Sequence, residues 1–188
     1  MTEPVIGEPT SWEVLASPPD AARLRSAQPF DAFYLKEFSS LVALARALTG
    51  SSSAEDIAQE AMLAAYRRWV EIEALDSPAA WVRRVCANQS TSFVRRRAAE
   101  ARAVLRIGAM RQPHTELPPT DEAFWVEVRR LPRRQAQAIS LHYIYDMQVS
   151  DIALTLDCSQ STVKAHLVRG RTALATRLGI ERRAGHDR

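Results

Sequence analysis

From Phe30 onward the apolar residues return every third or fourth position, and no stretch alternates for long as a strand would. Phe30, Phe33, Phe38, Leu41, Val42, Ala45 and Leu48 form the first such run, which Gly50 ends. A chain patterned this way buries stripes on helices, so the spacing predicts an all-α protein. "SSAE" follows, and Ser52 with Glu55 three residues on has the form of a capping box. The second helix would turn Ile57, Ala61, Met62 and Ala64 inward and run to about Trp69. "EIEALDSP" then reads as a loop, with Ser77 as N-cap and Pro78 as the first helical residue, where a missing N–H costs nothing. The third helix passes through Trp81, Val82, Val85, Gln89 and Phe93 towards Arg102.

Two segments interrupt this pattern. Residues 1–28 hold Pro4, Pro9, Pro18 and Pro19, and Pro29 follows; they are expected to be a mostly disordered tail, with room for a short helix near Trp12–Leu15 or Ala21–Arg25. "GAMRQPHTELPPT", Gly108 to Thr120, has three prolines and no period, and reads as a flexible linker. It divides the chain into two small helical domains, at 29–106 and 120–180, with the linker at 107–119 and a C-terminal tail at 181–188.

The second module should open with Thr120 as N-cap of a helix that buries Phe124, Val128 and Leu131. Pro132 opens the next helix, with Ile139, Leu141 and Tyr143 among its apolar positions. "VSDIALTL" is a short helix capped by Ser150, "DCS" a tight turn, and Ser159 the cap of the last helix. Val163, Leu167, Leu174 and Leu178 form that helix's buried stripe. Two short helices joined by a three-residue turn make a helix-turn-helix signal. Asp157 replaces the glycine such a turn favours, which Asp tolerates because it visits the left-handed region more readily than most residues. Gly170 inside the last helix costs roughly 1 kcal/mol against Ala, and nothing in the sequence accounts for it.

The distribution of charge bears on function. The formal net charge of the 188 residues is only +3, yet nearly all the basic charge is Arg, with Lys36 and Lys164 the only lysines. Arg suits bidentate contacts to phosphate and guanine, and a GC-rich genome equally favours its codons. On the last helix the apolar stripe leaves Thr162, Lys164, Ala165, His166 and Arg169 facing away from the core. Residues near the start of such a helix reach base edges, while basic groups and backbone N–H groups hold phosphates. The third helix carries Arg83, Arg84, Arg95, Arg96, Arg97 and Arg102 against Glu100 alone and is strongly basic. Trp81 on the same helix is expected to pack in the core. Glu55, Asp56, Gln59 and Glu60 crowd the first turns of the second helix, where acids also serve local stability.

Several classes of function are not indicated. Cys86 and Cys158 and the four scattered histidines lack metal-ligand spacing, so no metal, cofactor or disulfide is expected. No catalytic constellation is present, and no enzyme activity is expected. No run is long and apolar enough for a membrane helix and the start is not that of a secretory signal, which points to the cytoplasm.

At this point a resemblance emerges. "LPRRQAQAISLHYIYDMQVSDIALTLDCSQSTVKAHLVRGRTAL" resembles region four of bacterial sigma factors of the sigma-70 family, extracytoplasmic-function (ECF) type. "ALTGSSSAEDIAQEAMLAAYRRW" with "SPAAWVRRVCANQSTSFVRRR" resembles their region two. "DMQVS" and "LDCS" depart from the pattern by lacking its glycines. The resemblance implies that region two binds core RNA polymerase and the promoter minus-ten element, and region four the minus-thirty-five element. Asp56, Gln59, Glu60 and Glu55 would then meet the clamp coiled coil of the largest polymerase subunit, with the flap as a further contact, and Met62 and Tyr66 at the edge. The loop from Glu71 through Asp76 to Ser77 would receive an extruded base, and Arg83, Arg84, Asn88, Arg95 and Arg96 would hold the opened strand. Ser161, Thr162, Lys164, Ala165, His166 and Arg169 would read the upstream duplex. The family commonly pairs such a chain with an anti-sigma factor. A LuxR-type helix-turn-helix regulator is the alternative, since it carries a pattern like "STVKAHL". It would normally place a sensor or receiver domain ahead of this helix, where three helices are expected here. A helical protein-binding adaptor is a second alternative.

Overall fold

The structure is a computed structural model, and it describes residues 30–105 and 119–179. Among these residues there are eight α-helices and no strand: α1 (Phe30–Thr49), α2 (Ala54–Tyr66), α3 (Trp69–Ile72), α4 (Pro78–Leu105), α5 (Pro119–Arg129), α6 (Arg133–Tyr145), α7 (Val149–Leu156) and α8 (Gln160–Arg177). The expected tails and linker fall largely outside the described residues, as does the side chain of Arg102.

The first module packs α1, α2 and α4 around Leu41, Leu44, Ala45, Leu48, Ile57, Ala61, Met62, Val82 and Cys86. Gly50 ends α1 with φ of 60°, a left-handed conformation that favours glycine. The Ser52–Glu55 capping box does not form. Instead α2 begins one residue later, after Ser53, whose own N–H donates to Ser51 Oγ (3.2 Å). The second helix also stops short of Trp69. Arg68 N–H turns back to the Ala65 carbonyl, a tight last turn, and Trp69 starts the separate helix α3. The reason is aromatic packing: Trp69 sits edge-on to Phe30 (5.2 Å between ring centres) and against Phe33 (4.8 Å). The "EIEALDSP" segment is therefore a loop only from Glu73. Ala65 takes the deep core position expected of Ala64, which is half-buried. Ser77 caps α4 as expected, its Oγ accepting from the Ala80 N–H (3.2 Å).

The second module places α8 across α5, α6 and α7. Its core holds Val128, Leu131, Ile139, Leu141, Ile152, Leu156, Val163, Leu167 and Leu174. α5 already starts at Pro119, one residue ahead of the expected cap Thr120. Tyr143 is not a core residue: it is 52% exposed, with its ring edge-on to Phe124. Ser150 is inside α7 and not its cap; Gln148 holds that position in extended geometry. The two missing glycines have a simple explanation. Asp146 (φ 50°) and Asp157 (φ 56°) both adopt the left-handed conformation, ending α6 and α7. Ser159 caps α8 as expected, accepting from the Thr162 N–H (3.2 Å).

The modules also touch one another. α5 and α6 lie on α1, and α7 lies on α4. Gly50 matters here a second time: a Cβ there would be 2.7 Å from the guanidinium carbon of Arg129, which is paired with Glu122.

Candidate nucleic-acid interface

α8 offers the surface that its stripe implies. Val163, Leu167 and Leu174 are buried, Ser161, Thr162, Lys164 and Arg169 are exposed, and Ala165 and His166 are half-buried. Gly170 is explained by contact with α6: a Cβ would lie 3.0 Å from Cγ1 of Ile139, so the two helices approach closely there. Partial burial, and then the guanidiniums of Arg169 and Arg134, hold the His166 imidazole below its ordinary value of 6.5. Helix α8 thus carries a half-buried imidazole beside two guanidiniums that disfavour its protonated form.

The acidic start of α2 is fully available. Glu55, Asp56, Gln59 and Glu60 are all exposed, and no cation among the described residues pairs with the three carboxylates. Tyr66, 62% exposed, is the last residue of this helix and sets its ring edge-on to Phe30, whereas Met62 is buried.

The basic groups of α4 divide into two sets. Arg95, Arg96 and Arg97 are exposed at its far half, with Arg96 and Arg97 about Phe93. Arg83, Arg84 and Asn88 do not lie on open surface. Arg83 forms a two-pronged pair with buried Glu37 of α1 (2.8 and 3.0 Å) and stacks over the Tyr145 ring of α6 (4.3 Å). Burial pushes the Tyr145 phenol well above its usual range, even beside this cation. Arg84 reaches the end of α7, donating to the carbonyls of Thr155 (2.8 Å) and Leu154 (3.0 Å) and pairing with Asp157 (3.1 Å). Asn88 Oδ1 accepts from Arg133 (2.6 Å) and from Gln137 (3.3 Å), and Gln137 also donates to the Ala87 carbonyl (3.1 Å). The resemblance puts Arg83, Arg84 and Asn88 on the opened strand, and the partners that hold them here lie far away along the chain. Buried Glu37, set in an otherwise apolar stripe of α1, was the available hint that one cation was already spoken for.

Before α4, Asp76 is exposed, Ser77 is occupied by its capping role, and Glu71 pairs with Arg68 (2.6 Å). Trp81 is half-buried against the core, with Arg68 6.0 Å from its ring centre. Cys86 is buried under α1, its thiol pushed up to about 12 by desolvation, so it is no nucleophile. Among the described residues there is no cluster of ligands for a metal ion, and no helix is long and apolar enough to cross a membrane.

Comparison with known proteins gives this geometry a context. Residues 33–100 match the family model described as Sigma-70 region 2, and residues 121–174 that described as Sigma-70, region 4. Among solved structures, the sigma factor RpoE in complex with the anti-sigma factor NepR from Bartonella quintana is 23% identical, with a TM-score of 0.64 over 81% of this chain and 98% of that one. CnrH in complex with the cytosolic domain of CnrY is 20% identical, with a TM-score of 0.59 over 86% and 96%. No curated protein sequence matches the chain. The structural likenesses extend across both modules and bear on the fold.

Proposed function

The chain belongs to the sigma-70 family, as an ECF-type member carrying regions two and four in order, and from that premise we propose how its surfaces divide the work of promoter recognition. It is a sigma factor, a subunit that directs RNA polymerase to promoters. Region two would extend over 29–106 and region four over 120–180, with tails at 1–28 and 181–188 and a linker at 107–119.

The exposed, unpaired carboxylates at the start of α2 carry the reading of the polymerase contact. Asp56, Glu60, Glu55 and Gln59 would meet the basic clamp coiled coil, with Tyr66 packing at the rim. Arg95 and Arg96, with the loop from Glu71 to Ser77, would engage the opened minus-ten strand, and Arg84 and Asn88 would join them when not engaged by α6 and α7. Arg83 belongs to the packing of α1, α4 and α6. On α8, Ser161, Thr162, Lys164, Ala165, His166 and Arg169 would read the minus-thirty-five duplex, while the flap would hold region four on the polymerase. Strand separation would draw on binding energy within the polymerase complex, with no catalytic group of this chain involved. An anti-sigma partner fits the same picture, since both similar structures were solved with a bound partner. A LuxR-type regulator is not favoured, because residues 33–100 match region two and contain helices without a receiver sheet.

The polymerase contact is tested by reversing Asp56 and Glu60 to Lys. Affinity for core polymerase should fall at least tenfold, about 1.4 kcal/mol, with helicity unchanged. Unaltered affinity would refute this assignment of the polymerase-binding face.

A further inference from the structure

The outward face of α2 changes character along its length. Its first half carries Glu55, Asp56 and Glu60, all exposed and unpaired among the described residues. Its second half carries the exposed apolar residues Leu63 and Tyr66, and exposed Val70 follows in α3. Asp56, Glu60 and Leu63 stand four and three residues apart, so they share one side of the helix. Phe30 sets its ring 5.1 Å from that of Tyr66 and 5.2 Å from that of Trp69. The chain ahead of Phe30 therefore arrives at the apolar end of this face.

The sequence ahead of Phe30 complements it. The 29 residues there hold two cations, Arg23 and Arg25, both within seven residues of Phe30, while the acids Glu3, Glu8, Glu13 and Asp20 all lie farther out. Pro29 disfavours a helical conformation at Gln28, which works against a simple extension of α1. The lengths agree as well. At about 1.5 Å per helical residue, Glu60 lies about 9 Å and Asp56 about 15 Å from Tyr66 along α2. At about 3.4 Å per extended residue, Arg25 reaches up to about 17 Å from Phe30 and Arg23 up to about 24 Å. A chain running back along α2 thus brings both arginines within reach of both carboxylates. Exposed ion pairs of this kind are weak between separate molecules. On so short a tether they act at an effective concentration on the order of millimolar, enough to hold the segment down reversibly.

We propose that residues 23–29 of this chain dock on the outward face of α2, with Arg23 and Arg25 on Asp56 and Glu60, and so compete with core polymerase for that face. The competition rests on the functional reading of α2 above, whereas the docking does not. The segment and the polymerase clamp are mutually exclusive occupants of the same carboxylates. Polymerase binding displaces the segment, and the apparent affinity of the free chain for polymerase is lowered by the fraction in which the face is covered.

The test measures the distance between spin labels in the full-length chain, one at A21C just beyond the segment and one at S52C, an exposed position ahead of α2. Cys158 is replaced by Ser, and buried Cys86 is left in place. The free chain should give one narrow distance distribution, which becomes broad on binding core polymerase. R23Q combined with R25Q should broaden it in the free chain and raise the affinity for core polymerase several-fold. D56K combined with E60K should broaden it too, since the carboxylates are the other half of the contact. A broad distribution in the free unsubstituted chain, or a narrow one that survives either pair of substitutions, would overturn the docking. Unchanged or weakened polymerase binding by the R23Q/R25Q chain would overturn the competition. The two readings fail separately. A docked segment released by D56K/E60K with polymerase affinity unaltered would overturn the polymerase-face reading and the competition with it. An undocked segment with polymerase affinity lost in D56K/E60K would overturn the docking alone.

Discussion

A β-carbon at Gly170 would lie 3.0 Å from Ile139 Cγ1, closer than such contacts normally settle, and this makes the position a sensitive probe of the α6–α8 packing. Gly170→Val should destabilise the protein by about 1–3 kcal/mol through overpacking. Adding Ile139→Val should recover part of that loss, which a double-mutant cycle by urea denaturation measures. Simple additivity would show that the two positions do not meet. Neither the glycine's purpose nor the fate of Arg83 was legible locally, because Ile139 and Glu37 stand 31 and 46 residues away along the chain. His166 is a second residue-scale probe. Its folded-state affinity for a proton is depressed below the ordinary 6.5, so the unfolded chain binds the proton more tightly. Stability from the neutral ring is therefore fully present above about pH 6.5 and is lost as pH falls through the lower folded value. His166→Gln should lose less stability than the wild type between about pH 7 and 5, read from urea midpoints. An equal loss would mean that the ring titrates normally.

At the scale of elements, the sequence was most informative where the signal is local. Ser77 and Ser159 were legible as caps because each side chain accepts from a backbone N–H three residues on, a contact complete within one turn. Ser52 and Ser150 had the same look, but tertiary packing decided where those helices start. Met147 is buried and its carbonyl meets His142, which draws the chain into extended geometry and leaves Gln148 at the cap. The difference is measurable. Ser159→Ala should cost about 1 kcal/mol, whereas Ser150→Ala should stay within about 0.5 kcal/mol by urea denaturation. Equal costs would contradict the assigned start of α7. Helix α8 also carries the duplex-reading proposal. Lys164→Ala or Arg169→Ala should weaken output from promoters that depend on the upstream element. A base contact should relax one position by about 1–3 kcal/mol, and a phosphate contact should weaken all sequences alike. No change in binding or output from either variant would remove α8 from that role.

For the whole molecule, the two-module all-α arrangement and its resemblance were legible because helical period, the proline-rich divide and the helix-turn-helix each survive without tertiary information. What was not legible is that the modules pack on one another, since Arg84 and Asn88 read as DNA-facing groups until α4, α6 and α7 are brought together. The same contacts set α4 against the end of α7 and the turn that leads into α8. All of this depends on the chain being the specificity subunit of a polymerase. The most direct measurement is transcription in vitro on fragmented genomic DNA, using purified core RNA polymerase with and without the full-length chain, followed by mapping of transcript 5′ ends. The expected result is a set of discrete start sites that appear only with the chain and share two upstream motifs separated by a fixed spacing, and that vanish with Asp56→Lys plus Glu60→Lys. Transcription that is equally scattered with and without the chain would contradict the account.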